Sequence, residues 1–266
     1  MEGIVAQAVG ALVLLGISAA SYKFHATDAW GSVSGFCLGL VIGLTSGWAW
    51  VAALIAFLFL GSAVTRYRYQ FKLSIHAAEE KHGARGFRNV LANGAVPAAV
   101  SVLNFLRPAP VWSLLFVTAL ASAAADTFAT EIGLLSSRRP VFINRPSSVA
   151  PPGISGGVTP LGEGAAFAGS MLMVALAAAL GVIPVDPLYL ATATLAGFAG
   201  CNVDSLLGGT IQVLYSCKVC DALTEKKVHC GQPTVKVKGV GFVGNNEVNL
   251  ISDAVAVLLS ALVAMA

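Results

Sequence analysis

Ala121-Ser-Ala-Ala-Ala-Asp126-Thr-Phe-Ala-Thr-Glu131-Ile-Gly133 carries two carboxylates out of the end of an apolar segment, and Pro151-Pro-Gly-Ile-Ser155-Gly156-Gly157-Val-Thr159 follows it. Burying a charge at the end of a membrane-length helix is costly unless the charge is paired or binds a metal, so these acids carry a functional expectation. The Gly-rich turn leaves backbone N–H groups open to an approaching anion, as phosphate-binding loops do. Acids and turn together point to metal-assisted phosphate chemistry at a membrane face.

Composition sets the solvent around that stretch. Charged residues make up 11% of the 266-residue chain against 56% hydrophobic, and the mean hydropathy is +0.79. Soluble domains carry about 25% charged residues, so the chain reads as an integral membrane protein. A spanning helix needs about 20 apolar residues and a barrel strand about 10 that alternate strictly. The chain has the former pattern, at 3–20, 31–46, 48–64, 90–106, 111–130, 165–184, 188–212 and 247–266. The expected fold is therefore an all-α membrane protein of about eight transmembrane helices. Residues 1–266 form one polytopic domain, with a loop insert over 214–244. The first span lacks a basic leader, only Glu2 preceding it, and is expected to stay in the mature chain.

Alternating the connections between two sides gathers Lys23, six basic residues from Arg66 to Arg88, Arg138, Arg139, Arg145 and five later lysines on one side. That is fifteen of the sixteen Lys and Arg, with Arg107 alone opposite. By the positive-inside rule the basic side is cytoplasmic and both termini lie outside. Asp28, Asn89, Asn93, Asp126, Glu131, Asp204 and Asp253 all fall toward the same side. A transporter would carry polar groups near the midplane with access from both faces. No nucleic-acid-binding pattern is present; anionic lipid is the expected neighbour of the basic face.

Several stretches admit both a packing and a functional reading. Gly31, Gly35, Gly39, Gly43 and Gly47 form an i, i+4 ladder on the second span, read first as a helix-packing face and second as a substrate groove. Trp48 and Trp50 are expected in an outer interfacial belt. Lys72, His76 and Glu79 share one face, which predicts an amphipathic surface helix, with a solvated, lipid-attracted loop as the alternative and the reading preferred for Arg66 and Arg68. Arg85, Arg88, Asn89 and Asn93 converge on a helix start, where charge and forked donors can hold a phosphate. Asp126 and Glu131 lie about 140° apart on an ideal helix, whereas Asn246, Asn249 and Asp253 form a single polar stripe, with interhelical hydrogen bonding as the alternative role.

Four ordered signatures carry a resemblance: Ala125-Asp-Thr-Phe-Ala-Thr-Glu-Ile-Gly133, Pro152-Gly-Ile-Ser-Gly-Gly157, Asp204-Ser-Leu-Leu-Gly-Gly-Thr-Ile-Gln212 and Asn245-Asn-Glu-Val-Asn-Leu-Ile-Ser252. With Arg88-Asn89 and Asn93-Gly94, they resemble the DUF92/transmembrane protein 19 family, which includes the plant phytyl-phosphate kinase of vitamin E biosynthesis. Asn245-Asn246-Glu247 departs from the Asp-Asn-Asp-like run expected there. The resemblance implies phosphoryl transfer from a nucleoside triphosphate, CTP among the candidates, to an isoprenyl monophosphate such as phytyl or geranylgeranyl phosphate. Asp126, Glu131, Asp204 and Asp253 are then assigned to Mg²⁺ or its waters. Ser155, Gly156 and Gly157 are expected to cradle the donor phosphates; Arg85, Arg88, Asn89, Asn93 and Asn249 are expected to bind substrate. Such an enzyme is expected in the cell membrane, its active site facing the cytoplasm. A lipid-phosphate nucleotidyltransferase and an ion or lipid-phosphate transporter are the alternatives.

Cys217-Lys-Val-Cys220 followed by His229-Cys230 has the spacing of a small structural zinc knuckle, with a metal-free thiol loop as the alternative. Cys37 and Cys201 are expected to be small packing residues within spans. Gly239-Val-Gly-Phe-Val-Gly244 matches GxGxxG but leads into a membrane helix, without the βαβ unit that dinucleotide binding needs.

Overall fold

The computed structural model describes residues 2–78 and 83–265. Among these, eight helices have the length and apolarity to cross a bilayer: α1 (Glu2–Lys23), α2 (Ala29–Ser46), α3 (Trp48–Arg66), α5 (Phe87–Leu106), α6 (Val111–Gly133), α7 (Pro160–Ala179), α8 (Pro187–Thr210) and α9 (Asn245–Met265). The short helix α4 (Tyr69–Ser74) lies between α3 and α5. The membrane domain is all-helical, as expected.

Helix α6 is the axis of the bundle. It is the most buried span and packs against α3, α5, α7, α8 and α9, whereas α1 is peripheral and packs on α2. Its Ala-rich face makes this proximity feasible, and its neighbours meet it with glycines. A Cβ on Gly197 would lie 2.8 Å from Ala121 Cβ, and one on Gly200 would lie 2.3 Å from Ser122 Oγ. Small residues on both helices let their backbones close up, the usual source of helix association where lipid supplies no hydrophobic drive. This contact sets the C-terminal halves of α6 and α8 side by side, and with them Asp126 and Asp204.

Helix boundaries follow capping chemistry. Thr159 accepts a hydrogen bond from Gly162 N and Pro160 opens α7, so this helix begins five residues before the span read from hydropathy at 165–184. It stops before Gly181 (φ +71°). Asp186 and Pro187 start α8 in the same way. At its other end, Lys238 Nζ donates to the carbonyls of Gly208 and Gly209 at 3.1 and 2.9 Å, satisfying orphan acceptors and the negative end of the helix dipole.

The connections at the α6–α7 and α8–α9 ends contain short strands. β1 (Val141–Phe142) pairs with β2 (Arg145–Val149) and β3 (Gly157–Val158). β4 (Leu214–Ser216) pairs with β5 (Leu223–Thr224) and β8 (Val235–Lys238), while β6 (Val228–His229) and β7 (Gln232–Pro233) form a hairpin. The Val-Lys alternation over 235–238 thus becomes a strand. The GxGxxG stretch makes the turn from β8 into α9, where Val213 N donates to Val243 O and Val240 N to Ile211 O.

The structure changes several local readings. Trp50 is buried and stacks on Phe116 at 4.4 Å, while Trp48 fills clefts left by Gly10 and Gly43; both tryptophans pack within the bundle rather than forming an interfacial belt. Cys201 is buried, but Cys37 is exposed on the bundle surface. Among its described residues the amphipathic segment is helical over α4, and Glu79, its third member, lies outside the described residues along with Glu80, Lys81 and His82.

Lys72 departs most from its expected solvated position. It is fully buried, and its Nζ donates to the Val64 and Thr65 carbonyls at the end of α3 and to the Glu131 carboxylate. Removing one member of such a pair strands the other charge at a cost of about 3–5 kcal/mol, whereas replacing both by apolar groups is often close to neutral. Lys72→Met is therefore expected to destabilise the detergent-solubilised protein by about 3 kcal/mol, and Lys72→Met/Glu131→Leu to recover most of that loss in a thermal melt. A double variant no more stable than Lys72→Met would refute compensation between the two charges.

Candidate functional site

At one end of the bundle lies a cavity of about 650 Å³ whose walls include the N-terminal end of α5, the C-terminal ends of α6 and α8, and the N-terminal ends of α7 and α9. Polar helix ends converge there because their last carbonyls and first N–H groups, unlike those of helix interiors, still need partners. Asp126, Glu131, Glu163 and Asp204 line the cavity, as do Asn89, Asn93, Ser155 and Asn249.

Asp204 anchors the acidic wall. It is 5% exposed, and its Oδ2 accepts from Ser252 Oγ at 3.1 Å. With its amide oriented to satisfy both of its atoms, Asn249 donates to the same oxygen at 3.1 Å and to Asn245 O at 2.8 Å. Asp126, Asp253 and Glu225 are all close enough to act on its charge. Asp253 lies one α9 turn deeper, beside Ser122 and outside the cavity lining, with Oδ2 buried and without a hydrogen-bond partner among the described residues. Carboxylates gathered in a low-dielectric wall repel one another unless a cation stands among them or protons neutralise them. Carboxylate oxygens are the kind of donor that Mg²⁺ takes. Asp126, Asp204 and Asp253 belong to this group. Glu131 instead turns to Lys72.

The Pro151–Thr159 loop packs hard against α8. A Cβ on Gly156 (φ +86°) would meet Gly209 Cα and N at 2.4 Å, and one on Gly208 would meet Ser155 Cβ at 2.8 Å. Only glycine allows this approach and this left-handed backbone. Gly157 N donates to Ile154 O, and Ser155 N donates to a carboxylate oxygen of Glu225 at 3.0 Å. The glycines at 156 and 208 thus serve the packing of loop on helix. The Ser155 N–H faces an anionic group, though one supplied by the chain itself.

Arg85 also lines the cavity. Its backbone is fixed by Arg85 N to Ala26 O and Asp28 N to Arg85 O, both 3.0 Å. Its guanidinium lies 4.9 Å over the Phe57 ring and 3.5 Å from Thr127 Oγ1, in a space that Gly61 leaves open. Asn93 donates to Asn89 O at 2.9 Å. Arg88, by contrast, is exposed beside Phe87 and does not line the cavity. Arg85 and Asn93 also line a second, smaller recess of about 70 Å³, formed mainly by apolar residues of α1, α2, α3 and α5, among them Leu14, Gly35, Leu38, Phe57 and Val90. Thus Gly35 faces a recess, while Gly39 and Gly43 receive Leu14 and Trp48.

Hydropathy concealed Glu163 and Glu225. A span begun at 165 leaves Glu163 outside, although the Thr159-Pro160 start signal places it in the first turn of α7. Nothing in the local sequence of Glu225 marks it, because its partner is 70 residues earlier. The four zinc candidates form a cluster apart from the acids, with their ligand atoms all within 4.8 Å of one another. There, backbone N–H groups of Val219 and Cys220 lower the Cys217 thiol to about 6, while a hydrogen bond with Cys220 raises Cys230 to about 11.

Fold and site together define a polytopic membrane protein with an acidic cavity at one end and an adjoining apolar recess. The profile of the family described as "Integral membrane protein DUF92" matches residues 12–257, and the chain belongs to this family. It is 30% identical to an uncharacterized membrane protein of Synechocystis over 75% of this chain and 77% of that one. It is 29% identical to Protein PGR of Arabidopsis thaliana over 87% of each chain. An uncharacterized membrane protein of Methanocaldococcus jannaschii is 26% identical over 99% of this chain and 96% of its own. No solved structure matches.

Proposed function

We propose that this protein is a Mg²⁺-dependent isoprenyl monophosphate kinase. Its acceptor is phytyl or geranylgeranyl phosphate, its donor is a nucleoside triphosphate with CTP among the candidates, and its product is the isoprenyl diphosphate. The observation that carries this reading is the shared lining: Arg85 and Asn93 border both the acidic cavity and the apolar recess. An amphiphile with an anionic head fits such a junction. Its phosphate meets Arg85, the first carbons of its tail enter the recess, and the rest of the tail runs into lipid, since about 70 Å³ cannot enclose it. The family resemblance supplies the reaction class, and the concentration of basic residues on this side supports a cytoplasmic-facing site in the cell membrane.

Little covalent work falls to the protein in this reaction. The acceptor phosphate is already an anion, and one of its oxygens attacks the γ-phosphorus as the bond to the β-bridging oxygen breaks. A nucleoside diphosphate leaves with that bonding pair. Arg85 aligns the acceptor and offsets its charge; Asn89 and Asn93 orient it through their amides. Asp126 and Asp204 would hold Mg²⁺, with Asp253 behind them, and the ion supplies charge neutralisation for the triphosphate oxygens. Asn249 and Ser252 fix the Asp204 carboxylate.

The test is mass spectrometry of products from purified protein incubated with a C20 isoprenyl monophosphate, nucleoside triphosphates and Mg²⁺. A gain of one phosphoryl group supports the kinase. A gain of a nucleoside monophosphate replaces it with a nucleotidyltransferase, and no product across the nucleotide panel refutes both. Arg85→Lys keeps the charge but loses the planar fork, so it is expected to raise KM for the acceptor about tenfold while leaving KM for the nucleotide unchanged.

A further inference from the structure

The β4–β8 connection holds a second centre that phosphoryl transfer leaves unused. Cys217 directly follows β4, Cys220 lies in the turn after it, and His229 and Cys230 lie on the β6–β7 hairpin, so two separate turns present their side chains to one point. Cys220 Sγ lies 3.6 Å from His229 Nδ1 and 3.8 Å from Cys230 Sγ. A tetrahedral zinc with bonds of about 2.3 Å to sulfur and about 2.1 Å to nitrogen has edges of about 3.8 Å between sulfurs and about 3.6 Å from sulfur to nitrogen. These two pairs already stand at those separations, Cys230 Sγ lies 3.3 Å from His229 Nδ1, and all four ligand atoms fall within 4.8 Å of one another. A disulfide, by contrast, needs its sulfurs about 2.05 Å apart.

The backbone bends to make this arrangement. Cys230 has φ +51° and is followed by Gly231 at φ +71° in the two-residue hairpin turn, a place where Asn-Gly is the favoured pair. Asp221, immediately after Cys220, has φ +56°, and its N–H bonds Cys217 O at 3.0 Å. Val219 N points at Cys217 Sγ at 3.4 Å. A cysteine held in the left-handed region needs a compensating interaction, which a metal bond to its sulfur supplies.

Between the two halves of this cluster lies Glu225, whose carboxylate accepts the Ser155 N–H and lines the cavity. We propose that Cys217, Cys220, His229 and Cys230 bind one structural Zn²⁺, and that the ion holds Glu225 against the Ser155 loop to close one wall of the cavity. Four protein ligands fill the coordination shell, so the zinc offers no open position for substrate. The proposal does not depend on the identity of the phosphate substrates.

The full-length protein, purified in detergent without chelator, is expected to contain one zinc per chain by elemental mass spectrometry, and both Cys217→Ser and Cys230→Ser to lose most of it. Cobalt exchanged into the wild-type chain is expected to give the visible absorption of a tetrahedral thiolate site, a readout that needs no variant to fold. Background zinc with no such cobalt spectrum, or a Cys220–Cys230 disulfide in the intact mass, overturns the site. Hydrogen exchange tests the clamp. Removing zinc is expected to speed exchange of the Ser155 amide about tenfold or more, as is Glu225→Ala, which should keep its zinc. Unchanged exchange on zinc removal refutes the clamp, and neither readout requires turnover.

Discussion

Asp204→Asn is expected to lower kcat for isoprenyl-phosphate phosphorylation by about 10³-fold, the scale of losing one preorganised electrostatic group from a low-dielectric site. The substitution keeps the shape of the side chain, and the amide can still bond Ser252 and Asn249, which hold the carboxylate from α9. What disappears is a negative charge on which Asp126, Asp253 and Glu225 already act. Relief of that repulsion is expected to leave the melting temperature of the metal-free protein equal to or above that of the parent. The Mg²⁺ concentration for half-maximal rate should rise in the same variant. Near-normal turnover with an unchanged Mg²⁺ requirement would remove Asp204 from the proposed metal site, and a large loss of stability would assign it to packing.

Gly35→Leu is expected to lower kcat/KM for a C20 acceptor by about 100-fold while changing that for a C5 acceptor by less than about threefold. The estimate corresponds to about 3 kcal/mol of binding lost when an apolar side chain fills the space meant for several methylene groups. A Cβ at this position meets only Val90 Cγ1 at 3.9 Å, an ordinary contact, so Gly35→Ala should be nearly silent and serves as the control. The remaining carbons of leucine extend into the recess bordered by Leu38, Phe57 and Arg85. Equal losses with both acceptors would mean that the recess does not take the tail. The comparison works because the two substrates share the head that Arg85 would bind and differ only in what lies beyond it.

Particular residues show where sequence reasoning reached the site. Asp126 and Asp204 were visible because a carboxylate in a membrane-length apolar helix is costly, and the structure sets both on the cavity wall. Asn249 and Asp253 were visible as a helical stripe, and both are buried on the inner face of α9. Glu131 satisfied the same criterion, yet its cation lies 59 residues earlier in a loop that reads as solvated. No local pattern distinguishes an acid awaiting a metal from one already paired by a distant lysine. Ser155-Gly-Gly157 reads as an anion cradle, and Gly156 within it also records how closely the loop approaches Gly209. Glycine permits close approach by any backbone, ligand or protein, so the sequence alone could not say which.

Read alone, the sequence specifies a lipid-embedded chain with eight helical spans and its polar residues collected at one end of them. Hydrophobic length and the cost of buried charge are properties of single segments and can be summed along the chain. Only the tertiary structure decided which acids share a wall, that Lys72 neutralises Glu131, and that Arg85 stands where an apolar recess meets the acidic cavity. Those facts depend on close approach between helices, set by glycines and alanines on different spans, and such pairings lie between segments rather than within them.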